Sequence, residues 1–536
     1  MHNPIILSGG LIVDGSGRTP YIGDLWIEDG YISQIVPSTD QHPAHADIID
    51  VEGNCIAPGF IDVHSHADNA GFLDEDDLSK ILQGVTTEVT GNCGITLTPR
   101  SPEYTEILKA YAERLFPTTV WDGLSFGEFW DQAGHRGLVT NVVPLVGQGT
   151  LRIMAMGLDD RNPTDREMII MKDALQKSLE TGAFGLSTGL IYPPGQFTST
   201  DEIIGLASVL GQNIYTTHMR GEAQEVEKSV DEALAIGREA HVQVQISHHK
   251  AAGKSNWGKT ERTLKAIDAA RRQGQNVRLD VYPYTASSTM LTACLPPWTQ
   301  NGGDVATLSR LQDPEMKKRI RYDIEHGLPG WENHIETAGV NGILIGTTPD
   351  HQYEGQTLEE IARTLQLDPI SALIHVLLHE RLRVSMLVFS MHEDDLQRVM
   401  RYPWTMIGSD GLPPGQGGRP HPRLFGTFSH VLGKYVRDLH VLSLEEAIRK
   451  MTALPAETFG LWQRGRLEEG YIADIVAFNA SSVRDAGHYG APPTSPEGIS
   501  FVFQRGILVV NKGRYCGNRQ GVRLIRSTPG LQPKAL

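Results

Sequence analysis

From about residue 58 to residue 460, short apolar runs alternate with helical stretches, and each run ends in a polar or glycine-rich turn. Eight runs read as strands: "FIDVHSH", "TTEVTGNCG", "VTNVVPLVG", "FGLSTGLIY", "NIYTTHMR", "VQVQISHHK", "VRLDVYPYT" and "WTMIGSDG". Amphipathic helices separate several of them, such as "EAQEVEKSVDEALAIGREA" (222 to 240) and "TERTLKAIDAARRQG" (260 to 274). Strand and helix in such alternation predict parallel strands with right-handed crossovers, an α/β fold of the (β/α)8 TIM-like barrel type. Two further apolar runs, "NGILIGTT" and "RVSMLVFS", also have strand composition and leave the count open.

The two ends have another rhythm. "IILSGGLIVDGSG" and "DLWIEDGYISQIVP" near the start, and "GRLEEGYIADIVAFN" and "FVFQRGILVVNKGRY" near the end, are short strands punctuated by turn residues. Neither end alone has enough strands for a stable sheet. The expected organisation is therefore one small β-sandwich domain built from residues 1–57 together with 463–536, with the barrel, 58–462, inserted between them. Two independent β appendages are the alternative. Within the barrel, a proline-, tryptophan- and charge-rich segment at about 287–340 interrupts the rhythm between the seventh and eighth strands. Connections after barrel strands lie on the catalytic face, so this insertion is expected to be a lid or pocket wall, a peripheral helical insertion being the other reading.

Charge narrows the classes of partner. With 48 basic against 64 acidic residues the net charge is -16, which argues against nucleic acid or an anionic membrane and leaves a small molecule as the expected partner. No apolar run approaches the roughly 18 residues of a membrane span, and the amino terminus lacks a basic segment followed by a sustained apolar one, so a cytoplasmic location is expected. Four cysteines, Cys55, Cys93, Cys294 and Cys516, are too few for a disulfide framework in a chain of this length, and each is expected to be a free thiol or a ligand.

The candidate chemistry lies at the strand ends. In "GFIDVHSHAD" His64 and His66 stand two apart, which on a strand puts both on one face as a chelating pair. Cys93 ends the second strand, His218 the fifth, His248 the sixth and Asp410 the eighth. The carboxyl ends of barrel strands are where functional groups from different strands converge. Imidazoles, a thiolate and a carboxylate meeting there suit zinc.

"APGFIDVHSHAD", "GVTTEVTGNCGI", "TTHMRGE", "QISHHKAAG" and "MIGSDGLPPG…HPRLFGTF" together resemble the D-aminoacylases, the N-acyl-D-amino-acid deacylases of the amidohydrolase superfamily, along nearly the whole chain. The resemblance implies zinc-dependent hydrolysis of the amide bond of N-acyl-D-amino acids. It implies one tight Zn2+ held by Cys93, His218 and His248, and a second, weaker site offered by His64, His66 and Asp410. Of the adjacent pair, His248 matches the family position and His249 does not; neighbours on a strand face opposite ways. Where close relatives are expected to carry His-Ser after the third strand, this chain has Gln148 and Gly149, which is expected to alter the pocket lining rather than the metal.

For the mechanism, Asp410 beside the metal is the expected catalytic proton carrier, and zinc is expected to acidify the attacking water. The substrate's α-carboxylate is expected to meet Lys250, which shares the face of His248, together with Tyr282 and Ser288, while Tyr192 reaches the scissile carbonyl. These four look similar to the family's substrate contacts. Asp280 in the seventh strand is expected to shape the pocket rather than do chemistry. Cyclic amide hydrolases of the hydantoinase and dihydropyrimidinase type are the enzyme alternative, but they typically carry a lysine at the end of the fourth strand, and "AFGLSTGLIYPP" has none. A non-catalytic scaffold on the same fold is the other alternative. Side-chain preference, acyl group and oligomeric state stay open.

Overall fold

The computed structural model describes residues 3–39, 41–116, 125–412 and 417–526. The chain starts with β1 (Ile5–Ile12), β2 (Tyr21–Glu28), β3 (Tyr31–Pro37), β4 (Asp47–Asp50) and β5 (Cys55–Pro58). β1 pairs antiparallel with β2 and parallel with both β4 and β5.

Eight parallel strands then build the barrel. β6 (Phe60–Asp62), β7 (Val85–Thr90) and β8 (Asn141–Pro144) form one run, and β8 continues past Leu145 as β9 (Val146–Gly147). β9 pairs with β10 (Gly185–Gly189), followed by β11 (Ile214–His218), β12 (Gln243–Ile246) and β13 (Val277–Val281). The chain leaves the barrel through β14 (Ser287–Met290), β15 (Ile343–Ile345) and β16 (Ser385–Val388), and returns as β17 (Thr405–Ile407) beside β13. All eight strands expected from the sequence are present, and a parallel bridge between Ser65 and Gly411 joins the first to the last.

Side-chain chemistry reinforces that closure. The Asp62 carboxylate accepts hydrogen bonds from the His64 N–H at 3.1 Å, the Ser409 N–H at 2.8 Å and the Ser409 hydroxyl at 2.6 Å. A buried carboxylate is tolerable only when its oxygens are occupied in this way. The buried Lys80 ammonium, 3.6 Å from Asp62 and 3.7 Å from Glu88, balances the charge. The crossover helices use ordinary stop and start signals: Thr164 and Glu167 form a reciprocal capping box on helix Asp165–Glu180.

The chain's last strands, β18 (Ile475–Phe478), β19 (Ile499–Gln504), β20 (Ile507–Asn511) and β21 (Arg514–Tyr515), return to the first. β18 pairs antiparallel with β5, Ala477 opposite Ile56, so that both ends of the chain share one nine-stranded sheet. Leu7, Leu25, Ile56, Ile475 and Phe503 bury into one apolar cluster there, drawn from both ends. The strands between β13 and β17 form a separate antiparallel sheet, in the order β14, β16, β15. Its apolar cluster runs from Leu291 to Val388, so the inserted structure reaches well beyond residue 340. The runs "NGILIGTT" and "RVSMLVFS" are β15 and β16 of that sheet, not barrel strands. Among the described residues no single helix is long and apolar enough to cross a membrane.

Candidate metal centre

The six candidate ligands meet at the carboxyl end of the barrel. Cys93 Sγ lies 3.3 Å from His64 Nε2, 3.6 Å from His248 Nε2 and 3.7 Å from His218 Nδ1. Asp410 Oδ1 lies 3.1 Å from His66 Nε2 and 3.4 Å from His64 Nε2. Two overlapping groups of donors follow, Cys93 with His218 and His248, and Cys93 with His64, His66 and Asp410. Cys93 belongs to both.

Close backbone approach sets this geometry. Cys93, His248 and Asp410 all have positive φ, 53°, 34° and 49°. Each such non-glycine residue costs on the order of 1 to 3 kcal/mol and persists only when its surroundings enforce it. Glycine packing does so at Cys93: a Cβ on Gly189, the last residue of β10, would stand 2.1 Å from the Cys93 carbonyl oxygen. At His248 the enforcing group is Asp280, whose Oδ1 accepts from the His248 N–H at 2.7 Å and whose Oδ2 accepts from Gln245 Nε2 at 2.6 Å. Asp280 Oδ1 also lies 3.3 Å from His64 Nδ1. It lies behind His64 and His248 rather than among the donors. The adjacent histidine turns away: His249 Nε2 lies 2.8 Å from the Thr263 hydroxyl on helix Thr260–Arg272.

Among the donors, electrostatics favour the deprotonated forms of the thiol and the carboxyl. Burial opposes a charged thiolate at Cys93, but His64 and the other two imidazoles outweigh it and hold the thiol well below its usual range. Burial likewise opposes an ionised Asp410, while Arg423, His248 and His64 hold its carboxyl well below the ordinary carboxylate range. Arg423 Nη1 lies 2.9 Å from Asp410 Oδ2, and its Nη2 donates to the Ser288 carbonyl at 2.9 Å. Arg423 is fully buried and paired with Asp410. A thiolate, imidazoles and a carboxylate, all buried and convergent, fit zinc.

Sequence reasoning missed Glu222. It lies in the loop four residues past His218, and its carboxylate spans the far sides of two candidate ligands, with Oε1 3.0 Å from His248 Nδ1 and Oε2 3.6 Å from His218 Nε2. The Lys250 ammonium donates to Glu222 Oε1 at 2.6 Å. Burial would raise the Glu222 carboxyl, but Lys250 and the two histidines hold it well below the usual range. The spacing in "HMRGE" was the one available signal, and a loop spacing says nothing about direction.

The donors open into a cleft of about 600 Å³, counted out to open solvent. Lys250, Tyr192, Tyr282 and Ser288 all line it, as do Thr289, Met290 and His334 from the inserted segment. The Tyr192 hydroxyl lies 2.7 Å from Thr289 Oγ1. Gln148 takes another direction, donating to Thr198 Oγ1 at 3.0 Å and Glu202 Oε1 at 3.1 Å, so it is not part of the lining.

Comparison with known proteins agrees with this chemistry. The model of the Amidohydrolase family matches residues 47–125 and 323–494. The D-aminoacylase of Alcaligenes xylosoxydans xylosoxydans is 35% identical over 529 residues, 98% of each chain. An N-acyl-D-glutamate deacylase of the same organism is 36% identical over 510 residues, 94% of this chain and 93% of the relative. The crystal structure of N-acyl-D-glutamate deacylase from Bordetella bronchiseptica, complexed with zinc and a phosphonate mimic of the tetrahedral intermediate, superposes with a TM-score of 0.81 at 35% identity, covering 98% of this chain and 100% of that one.

Proposed function

We propose that this chain, which belongs to the N-acyl-D-amino-acid deacylases of the amidohydrolase family, hydrolyses the amide bond of N-acyl-D-amino acids to a carboxylate and a free D-amino acid, using one tightly held zinc on Cys93, His218 and His248. The carrying observation is the Cys93 thiolate among three imidazoles, with Asp410 alongside, at the floor of the cleft. A zinc ion held there lowers the pKa of a water toward roughly 7 and polarises the amide carbonyl. Asp410 accepts the proton of the attacking water and delivers it to the amide nitrogen as the C–N bond breaks. Tyr192 is placed to donate to the carbonyl oxygen. Lys250, Tyr282 and Ser288 hold the α-carboxylate; the Lys250 ammonium keeps further N–H groups for it beside the one given to Glu222. His64, His66 and Asp410 offer a second, weaker metal site. The fourth strand, β10, is "GLSTG", without the lysine that a cyclic amide hydrolase would need.

Glu222 acts through the ligands. With Oε1 3.0 Å from the outer nitrogen of His248 and Oε2 3.6 Å from that of His218, it favours the tautomers whose other nitrogen is free for zinc. Outer partners of this kind are worth about 10- to 100-fold in metal affinity. Glu222→Gln keeps the volume and loses the charge, and zinc affinity measured against a competing chelator should fall by that amount. An unaltered affinity would show that the carboxylate is only Lys250's counter-ion.

The lining also limits the side chain. Ile95, Leu115, Ile191, Met290 and Leu412 contribute apolar surface, and burial pushes His334 down to about 4, leaving it neutral. Among the described residues of the lining, Lys250 is the one permanent cation, and it is assigned to the α-carboxylate. A second substrate carboxylate would be buried unpaired at a cost of several kcal/mol. N-acetyl-D-leucine and N-acetyl-D-methionine should therefore exceed N-acetyl-D-glutamate and N-acetyl-D-aspartate in kcat/KM by about 10² or more. The L enantiomers should be poor, because the carboxylate anchor, the carbonyl and the side-chain pocket fix three corners of the chiral centre. Equal kcat/KM across the four D substrates would refute the pocket assignment, and equal turnover of D and L would refute the anchor.

A further inference from the structure

A second group of donors lies in the inserted segment, outside the cleft lining. Helix Pro369–His379 ends at His379, followed at once by Glu380, and Asp350 lies in the loop after β15. His379 Nε2 is 2.6 Å from Asp350 Oδ2 and 4.0 Å from Glu380 Oε1, and donor atoms of the three lie within 4.8 Å of one another. Ligands of a tetrahedral zinc, bonded at about 2.0 to 2.2 Å, stand about 3.4 Å apart. The His379 contacts at 2.6 Å and 4.0 Å bracket that spacing.

An independent observation points to a missing occupant. Glu380 is 3% exposed, and its Oε1 is buried with no hydrogen-bond partner. A buried carboxylate oxygen without a partner is costly, and native structures normally supply one. Among the described residues neither Asp350 nor Glu380 pairs with a lysine or arginine. Two carboxylates and an imidazole thus gather at the negative end of a helix, a setting that attracts a cation.

We propose that Asp350, His379 and Glu380 form a site for a borderline divalent transition ion of the zinc class, separate from the barrel centre, that pins the loop after β15 to the end of helix Pro369–His379. Imidazole and carboxylate donors in this number suit zinc and leave a position for water. The clamp stands just upstream of β16, whose antiparallel partner β14 carries Ser288 into the cleft, so the ion supports the frame of the cleft wall from outside. It takes no part in the chemistry.

The test is the stoichiometry of zinc bound by the full-length holoenzyme, titrated with a chromophoric competitor and checked by elemental analysis. Wild type should bind one more zinc per chain than His379→Ala and than Asp350→Ala, both changes being at exposed positions that leave the barrel intact. Amide hydrolysis should stay within about twofold in both variants. Added zinc should raise the unfolding temperature of wild type more than that of either variant. His326→Ala, an exposed histidine at the end of another helix of the insertion, should bind as wild type does. Equal zinc stoichiometry in wild type and either site variant would overturn the proposal, and so would loss of a zinc in His326→Ala.

Discussion

Asp410→Asn is expected to lower kcat by about 10² to 10⁴ while leaving close to one tightly bound zinc per chain. The amide keeps the size of the carboxylate and its capacity to accept a hydrogen bond, but it cannot carry a proton. The zinc proposed on Cys93, His218 and His248 should survive, because Asp410 is not in that group. The variant carries one structural penalty: Arg423, 2.9 Å from Asp410, loses its counter-ion while fully buried. Removing one partner of a buried pair costs roughly 3 to 5 kcal/mol. Thermal unfolding must therefore accompany the kinetics, measured on protein shown to be folded and zinc-loaded. Full activity in such protein would remove Asp410 as the proton carrier and move that role to His64 or His66.

Cys93→Ala should act on the metal itself. Because Cys93 is common to both donor groups, its loss removes a charge and a donor from each of them. Zinc content after dialysis should fall from about one per chain to below about 0.1, with turnover falling by at least about 10³ and excess zinc failing to restore it. A smaller loss is expected from His66→Ala, since His66 belongs only to the second group. Full occupancy and normal turnover in Cys93→Ala would end the assignment of the thiolate.

Much of this site is legible in the sequence because it depends on local rules. Strand periodicity and terminal turns place His64, Cys93, His218, His248 and Asp410 at strand ends, and parallel topology brings those ends together. Alternation separates His248 from His249, and the structure places His249 against Thr263 on the outer helix. Glu222 was not legible, because it sits in a loop whose direction no periodicity encodes. The pairing of Arg423 with Asp410 was not legible either, since it depends on how helix Arg423–His430 docks. The apolar runs that became β15 and β16 were visible as strands, yet their sheet was not. Antiparallel partners such as Leu344 and Leu387 lie too far apart along the chain for local pattern to link them.

The left-handed residues at Cys93, His248 and Asp410 bear on which ions the barrel can admit. The backbone is set by a glycine contact at Cys93 and by Asp280 at His248, so these two donors occupy their places before an ion arrives, and their ordering is part of folding rather than of loading. A cage built in this way cannot widen to collect the six to eight oxygens that calcium takes, nor retain the hydration shell that magnesium keeps. Abundance alone therefore gives those two ions no advantage there, and the barrel is open to scarce, thiolate-seeking metals even where the hard cations are in large excess.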